Sequence, residues 1–158
     1  MEQFFAGNLD LFIKLVVAMF LGAVIGTERI FHGKIAGMRT YAMVSMGSAL
    51  FVIVSDLLSG RYGNLSGFSP TLIAAQIVAG VGFIGAGLII FHDNKLMGLT
   101  TASGLWVAAG IGMAVGFGLY SVAIFAALLS LFIFSILWAL EERLKKAAGI
   151  EQTEVVEK

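Results

Sequence analysis

Ahead of the polar C-terminal segment, the side chains able to do chemistry are few, and their densest group lies in one stretch. Glu28, Arg29, His32, Lys34 and Arg39 bring an acid, an imidazole and three strong bases into 12 consecutive residues. Such a group can form an internal ion pair and leave a cation over for an anion or a partner, or it can act only as a topology determinant. The sharper expectation is a coupled cluster in which Glu28 pairs with Arg29 or Arg39 and the other arginine stays available. Few other polar groups stand within the apolar part of the chain. Asp10 and Lys14 are four apart, the spacing of a helical ion pair. Asp56, Gln76, Thr100 and Thr101 stand inside or beside long apolar runs, where each could line an ion path. Each also has a plainer role: Asp56 facing water, Gln76 hydrogen bonded to another helix, the threonines capping a first turn. His32 and His92 are far apart, so a metal site is not specified. No nucleophile and base are spaced as a catalytic pair, and there is no cysteine, so neither covalent catalysis nor a cofactor is expected.

The elements that must hold these groups are set by where charge is missing. The 158 residues are 59% apolar and 13% charged, with a mean hydropathy of +0.97. An ordinary soluble domain has about twice that charged fraction. Ten basic residues balance ten acidic ones, leaving no excess to grip a nucleic acid. A membrane-spanning helix needs about 20 apolar residues. Leu96 to Leu140 gives 45 residues without a charge, enough for two spans divided near Gly116-Phe117-Gly118. Tyr62 to His92 gives 31, in which Tyr62 to Ser69 reads as loop and Thr71 to Phe91 as helix. Ser69 suits the N-cap of that helix and Pro70, the sole proline, its first position. Thr40 to Ser55, extendable to Leu58, is a further span. The first runs from Leu9 to Ile25, since a cleaved leader would want basic residues first and Glu2 and Asp10 precede the apolar run.

The expected fold is an all-α polytopic membrane helix bundle of five transmembrane helices, with four as the alternative. Five helices put Arg29, Lys34, Arg39, Lys95, Arg143, Lys145, Lys146 and Lys158 on one side, against Arg61 and Lys14. The positive-inside rule makes the first side cytoplasmic and places the N-terminus outside. Residues 1–140 are then the transmembrane domain and 141–158 a short cytoplasmic tail, helical only at its start. Trp138 and Tyr120 fit interfacial anchors. Trp106 falls in mid-span, where a bundle-facing position would give its N–H a partner.

Small residues four apart let helix backbones approach in lipid. Ala18, Gly22 and Gly26 form one such run, and Gly104, Ala108, Gly112 and Gly116 another. Gly80, Gly82, Gly85 and Gly87 crowd the third helix. They spell G-x-G-x-x-G, but inside an apolar span rather than between a strand and a helix, which excludes a dinucleotide site. They either admit a neighbouring helix or unwind the span around a polar cavity.

The motif Ile25-Gly26-Thr27-Glu28-Arg29, followed by Lys34-Ile35-Ala36-Gly37-Met38-Arg39-Thr40, resembles the opening of the MgtC/SapB family of bacterial membrane proteins. Further blocks follow in order: Gly47 to Phe51, Ile73 to Val78, GVGFIGAG at Gly80 to Gly87, Gly98 to Ala102, Leu105-Trp106 and Gly112 to Tyr120. The resemblance covers about Leu15 to Tyr120. Where the family usually has Asp-Pro and then a basic residue, this chain has Ser69-Pro70 and Leu72, so a role needing that acid or base does not carry over. Nor does any regulation assigned to the soluble C-terminal domain of some relatives.

The resemblance implies a bacterial inner-membrane protein of magnesium homeostasis. The leading expectation is a tight oligomeric bundle that modulates another membrane system. Its partners would be the bilayer, a second copy and another membrane protein, with Mg²⁺ as a candidate ligand. The alternative is a channel or carrier whose path runs by Gln76, Thr100 and Thr101, with a ring of Asp56 at its mouth. Against it, Mg²⁺ wants carboxylate and water oxygens, and one copy has no mid-membrane acid cluster.

Overall fold

The computed structural model describes residues 2–62, 70–92 and 95–148. The chain is a bundle of helices: α1 Glu2–Phe31, α2 Met38–Tyr62, α3 Pro70–Leu88, α4 Leu99–Gly116, α5 Tyr120–Phe132 and α6 Trp138–Ala147. A π-helical segment, Ile133–Leu137, joins the last two into one continuous rod. Five stretches are long and apolar enough to cross a membrane: Asn8–Phe31, Met38–Gly60, Thr71–Leu88, Leu99–Gly116 and Tyr120–Ala147. The expected N-cap Ser69, the loop before it and the tail beyond Ala148 lie outside the described residues.

The first span runs past Ile25 to Phe31, so Glu28 and Arg29 are helical rather than in a loop. Gly33, at φ +63°, then turns the chain, and the Gly33 and Lys34 amides donate to the carbonyls of Ile30 and Arg29, both at 3.0 Å. Only a residue comfortable in the left-handed region ends a helix this way without strain. Asp10 and Lys14 form their i,i+4 ion pair at 3.1 Å.

α3 stops at Leu88, short of Phe91, and is followed by an antiparallel hairpin of β1 Ile90–His92 and β2 Lys95–Met97. The apolar run alone could not show this, because Ile90 and Phe91 extend it without interruption. Gly98 closes the hairpin and caps α4 at φ +82°, and a Cβ there would meet the Leu88 carbonyl oxygen. Neither Thr100 nor Thr101 caps α4: its N-cap is Gly98, and no side chain makes a capping hydrogen bond there. Gly98→Ala is therefore expected to cost about 1–3 kcal/mol. Gly110→Ala, with nothing within 4 Å, should stay within about 0.5 kcal/mol of the parent. Denaturant titration of the detergent-solubilised protein measures both.

α4 is the central helix, 56% of its span buried against 17–33% for the others. Its small residues explain that position. A Cβ at Gly112 would collide with the Ser45 carbonyl, and one at Gly116 would lie 2.8 Å from Val52 Cβ. On α1, Gly22 has the Tyr41 carbonyl oxygen 2.5 Å from its would-be Cβ, and Gly26 has Met38 Cα at 2.6 Å. Ala18, Tyr41, Leu105, Ala108, Ile111 and Val115 form the centre of the core.

The third-helix glycines behave differently. Gly85 is in ordinary contact with Ala102 at 3.5 Å, but Gly80, Gly82 and Gly87 have nothing within 4 Å. Three of the four therefore admit no helix of the same chain, and α3 and α4 are unbroken, so the glycines do not unwind them. α3 buries only Ile77, Val81 and Gly85, one residue per turn, with Ala74 and Leu88 half-buried at its ends. Trp106 also departs from expectation. It is 54% exposed and lines an apolar hollow of about 290 Å³ with Val78, Val81, Gly110, Met113 and Val122. Backbone contact between α4 and α2 leaves no room for an indole there, so it covers the wider gap between α3 and α5.

Candidate functional site

The polar residues that the structure does gather lie at the end of the bundle where α1 finishes and α2 and α4 begin. Glu28 and Arg29 are the last charged residues of α1, and both are buried, at 9% and 3% exposure. Burying a charge in so apolar a setting is costly unless it is neutralised. Arg29 Nη1 lies 3.6 Å from Glu28 Oε2, an ion-pair distance too long for a hydrogen bond. The guanidinium sits over the Phe134 ring, 4.3 Å from its centroid. A planar cation that is weakly hydrated suits such a stack better than an ammonium does.

Phe134 belongs to the π-helical segment. The extra residue in that turn shifts the rod's register, and π-bulges recur at functional positions. Phe134 faces Arg29 from this segment, and four residues later Trp138 meets His32 edge-on, with ring centroids 4.6 Å apart. His32 Nδ1 is 3.0 Å from the Glu28 carbonyl oxygen, its hydrogen-bond partner, and 2.9 Å from Glu28 Oε1. The second contact becomes an ion pair when the imidazole is protonated.

From α2, the buried Tyr41 hydroxyl donates to the Thr101 carbonyl of α4 at 3.3 Å. Gly104 leaves the space for this: a Cβ there would strike the Tyr41 hydroxyl and come within 2.7 Å of Phe134 Cζ. Four elements thus close over one ion pair. The site is not fully satisfied: among the described residues, and apart from the His32 contact with Oε1, both Glu28 carboxylate oxygens and Arg29 Nε and Nη2 are buried without a hydrogen-bond partner. A fixed guanidinium with two unused donors can receive an oxygen acceptor, once the π-segment or a side chain gives access.

Of the residues singled out in the sequence, the structure brings together Glu28 and Arg29, with Thr101 beside them through its backbone. Arg39 does not join them. It is exposed on the first turn of α2, and positions 39 and 41 of a helix point about 200° apart, so burying Tyr41 turns Arg39 outward. Lys34 lies in the turn after α1 and is half-buried. Asp56 and Thr100 are exposed, and Gln76 is exposed on a different flank of the bundle. Among the described residues, no group of three or more His, Cys, Asp or Glu could hold a metal.

Tyr41, Gly104 and Phe134 were not legible as site residues. Tyr41 and Phe134 look like ordinary core positions of apolar spans, and only the fold brings them to Arg29. Trp138 and His32 were visible separately, as an anchor and a loop imidazole, and their contact arises because α5 continues through the π-segment.

The MgtC family model, described as such, matches residues 15–143. The chain is 43% identical over 140 residues to the protein named "Putative magnesium transporter YhiD" of Escherichia coli K12, covering 85% of this chain and 64% of that one. It is 41% identical over 122 residues to "Protein MgtC" of Brucella abortus strain 2308, covering 77% and 48%. It is 40% identical over 119 residues to "Protein MgtC" of Salmonella typhimurium strain 14028s, covering 75% and 48%. The chain thus spans about half to two thirds of the length of these relatives. No solved structure matches. A helix bundle able to cross the membrane five times, and a family match that contains the whole of the buried Glu28–Arg29 site, make this chain a multi-pass membrane protein that belongs to the MgtC family.

Proposed function

We propose that this protein resides in the bacterial inner membrane and takes part in magnesium or ion homeostasis by modulating another membrane system, with no covalent chemistry of its own. The magnesium part draws on its family and on the relative named for magnesium transport. The choice of modulator over carrier rests on one observation: the polar residues that would line a path are dispersed. Gln76 is on the outer flank of α3, Thr100 and Asp56 are exposed at opposite ends, and Thr101 lies behind Tyr41. The polar residues that do converge are cemented at one end of the bundle rather than strung across it.

Flux of Mg²⁺, H⁺ and K⁺ into liposomes holding only this purified protein tests the choice. The expected result is no flux from folded protein, together with crosslinking of another membrane protein in intact membranes under low magnesium. Saturable flux that disappears in Gln76→Leu would replace the modulator by a carrier. The exposed amide of Gln76 is the observation that favours that second reading, with the path running between copies rather than within one.

A further inference from the structure

α3 leaves most of its surface without a partner: only 17% of its span is buried, the least of the five. Between α3 and α2 runs an open groove of about 620 Å³. Its α2 wall is Met43, Gly47 and Phe51, its α3 wall Ile73, Gln76 and Gly80, and apolar atoms form most of it. Neither Gly47 nor Gly80 has any atom within 4 Å of a would-be Cβ, so both walls are cut down to backbone at mid-groove.

The outer lip of this groove carries a regular pattern. Ile73, Gln76, Gly80, Phe83 and Gly87 are spaced 3, 4, 3, 4, and all five are exposed. This is the a/d seam of a two-helix contact. It lies on a different face from Ile77, Val81 and Gly85, which α3 spends on its own chain. Phe83, 83% exposed, is a knob, and Gly80, Ile84 and Gly87 with Phe83 outline the hole that would take it on a facing helix.

We infer that the α3 seam is the contact surface for a second copy of this chain. Copies of one chain insert in the same orientation, so the two-fold axis of a dimer stands along the membrane normal. Each seam residue then meets its counterpart at its own depth. Gln76 lies about 8 Å along the span from its outer end, where lipid offers no hydrogen bond. A carboxamide both donates and accepts, so Gln76 pairs with Gln76 of the second copy, which a one-sided donor such as lysine could not do. Phe83 enters the glycine-edged hole opposite, and Gly80 and Gly87 let the two backbones approach. The seam is complementary to itself in polarity and in shape, which is what selects a second copy over an unrelated helix. The inference does not depend on the modulator reading, since it concerns the purified protein alone.

The chain has no cysteine, so single-cysteine variants report the contact directly. In liposomes at low protein-to-lipid ratio, oxidation should link Ile73→Cys and Gly87→Cys into dimers and leave Ile124→Cys, 47% exposed on α5, monomeric. Gly80→Leu should reduce energy transfer between labelled copies at least tenfold without moving the unfolding midpoint, because that position is empty in the single chain. Gln76→Leu should weaken association about threefold, the usual yield of one interhelical hydrogen bond. Absence of seam crosslinks, equal crosslinking at Ile124, or undiminished association of Gly80→Leu would each overturn the inference.

Discussion

Arg29→Met is expected to lower the stability of the solubilised protein by about 3–5 kcal/mol, the usual cost of removing one partner of a buried ion pair. The side chain it replaces is 3% exposed, and the carboxylate left behind is 9% exposed with His32 Nδ1 2.9 Å away. Glu28→Gln alone should cost a comparable amount, since it strands the guanidinium over Phe134. The double variant Glu28→Gln, Arg29→Met should lose clearly less than the sum, because no charge then stays buried. A chemical-unfolding cycle of the four proteins reads this coupling. The same cycle separates structure from function. If the pair serves only to hold α1 against the π-helical segment, the double variant regains function along with stability. If the arginine receives an acceptor, the double variant folds and still fails to support growth in low magnesium. Glu28→Gln that folds and functions normally would remove the site from the mechanism.

Gly112→Ala is the second large effect. One methyl would be placed against the Ser45 carbonyl oxygen, and 2.7 Å from its carbonyl carbon. Both are backbone atoms of a helix already in contact with α1, so neither can turn aside as a side-chain tip could. α2 and α4 must separate, which loosens the central helix from its main neighbour. A loss of about 3 kcal/mol, the upper end for overpacking a core, is expected, with little folded protein in the membrane. Gly110→Ala, two residues away on the open face, is the matched control. Comparable losses for the two variants would show that the alanine acts through the helix itself rather than through contact with Ser45. Unfolding midpoints and membrane yield of the pair decide it.

The contrast between those two glycines shows how much of this molecule could be read beforehand. The small-residue run on α4 was visible at four-residue spacing, and Gly104, Gly112 and Gly116 do face α2 closely, Gly104 also facing Phe134 of the π-helical segment. The third-helix glycines carried an equally strong signal and meet nothing in their own chain. Spacing says that a backbone can be approached; it does not say by what. Trp106 and Arg39 fail for the same reason. A helix has one outward and one inward side, and which residues occupy them depends on where its neighbours stand.

Charge supplied the spans. Each Asp, Glu, Lys or Arg in hydrocarbon is expensive, so uncharged intervals of the right length mark helices in any bundle, whatever its packing. The five spans, the motif around Glu28 and Arg29 and the family they indicate are therefore properties of the chain read in one dimension. The joint itself is not. Phe134 lies more than a hundred residues from Arg29, and Tyr41 and Thr101 are 60 apart. Their meeting depends on interhelical distances set by Gly104 and on the register of a π-turn, both decided only when all the helices pack. Local chemistry determined what must cross the membrane and which charges had to be paired there; tertiary packing alone decided which rings would close over that pair, and which face of α3 was left uncovered.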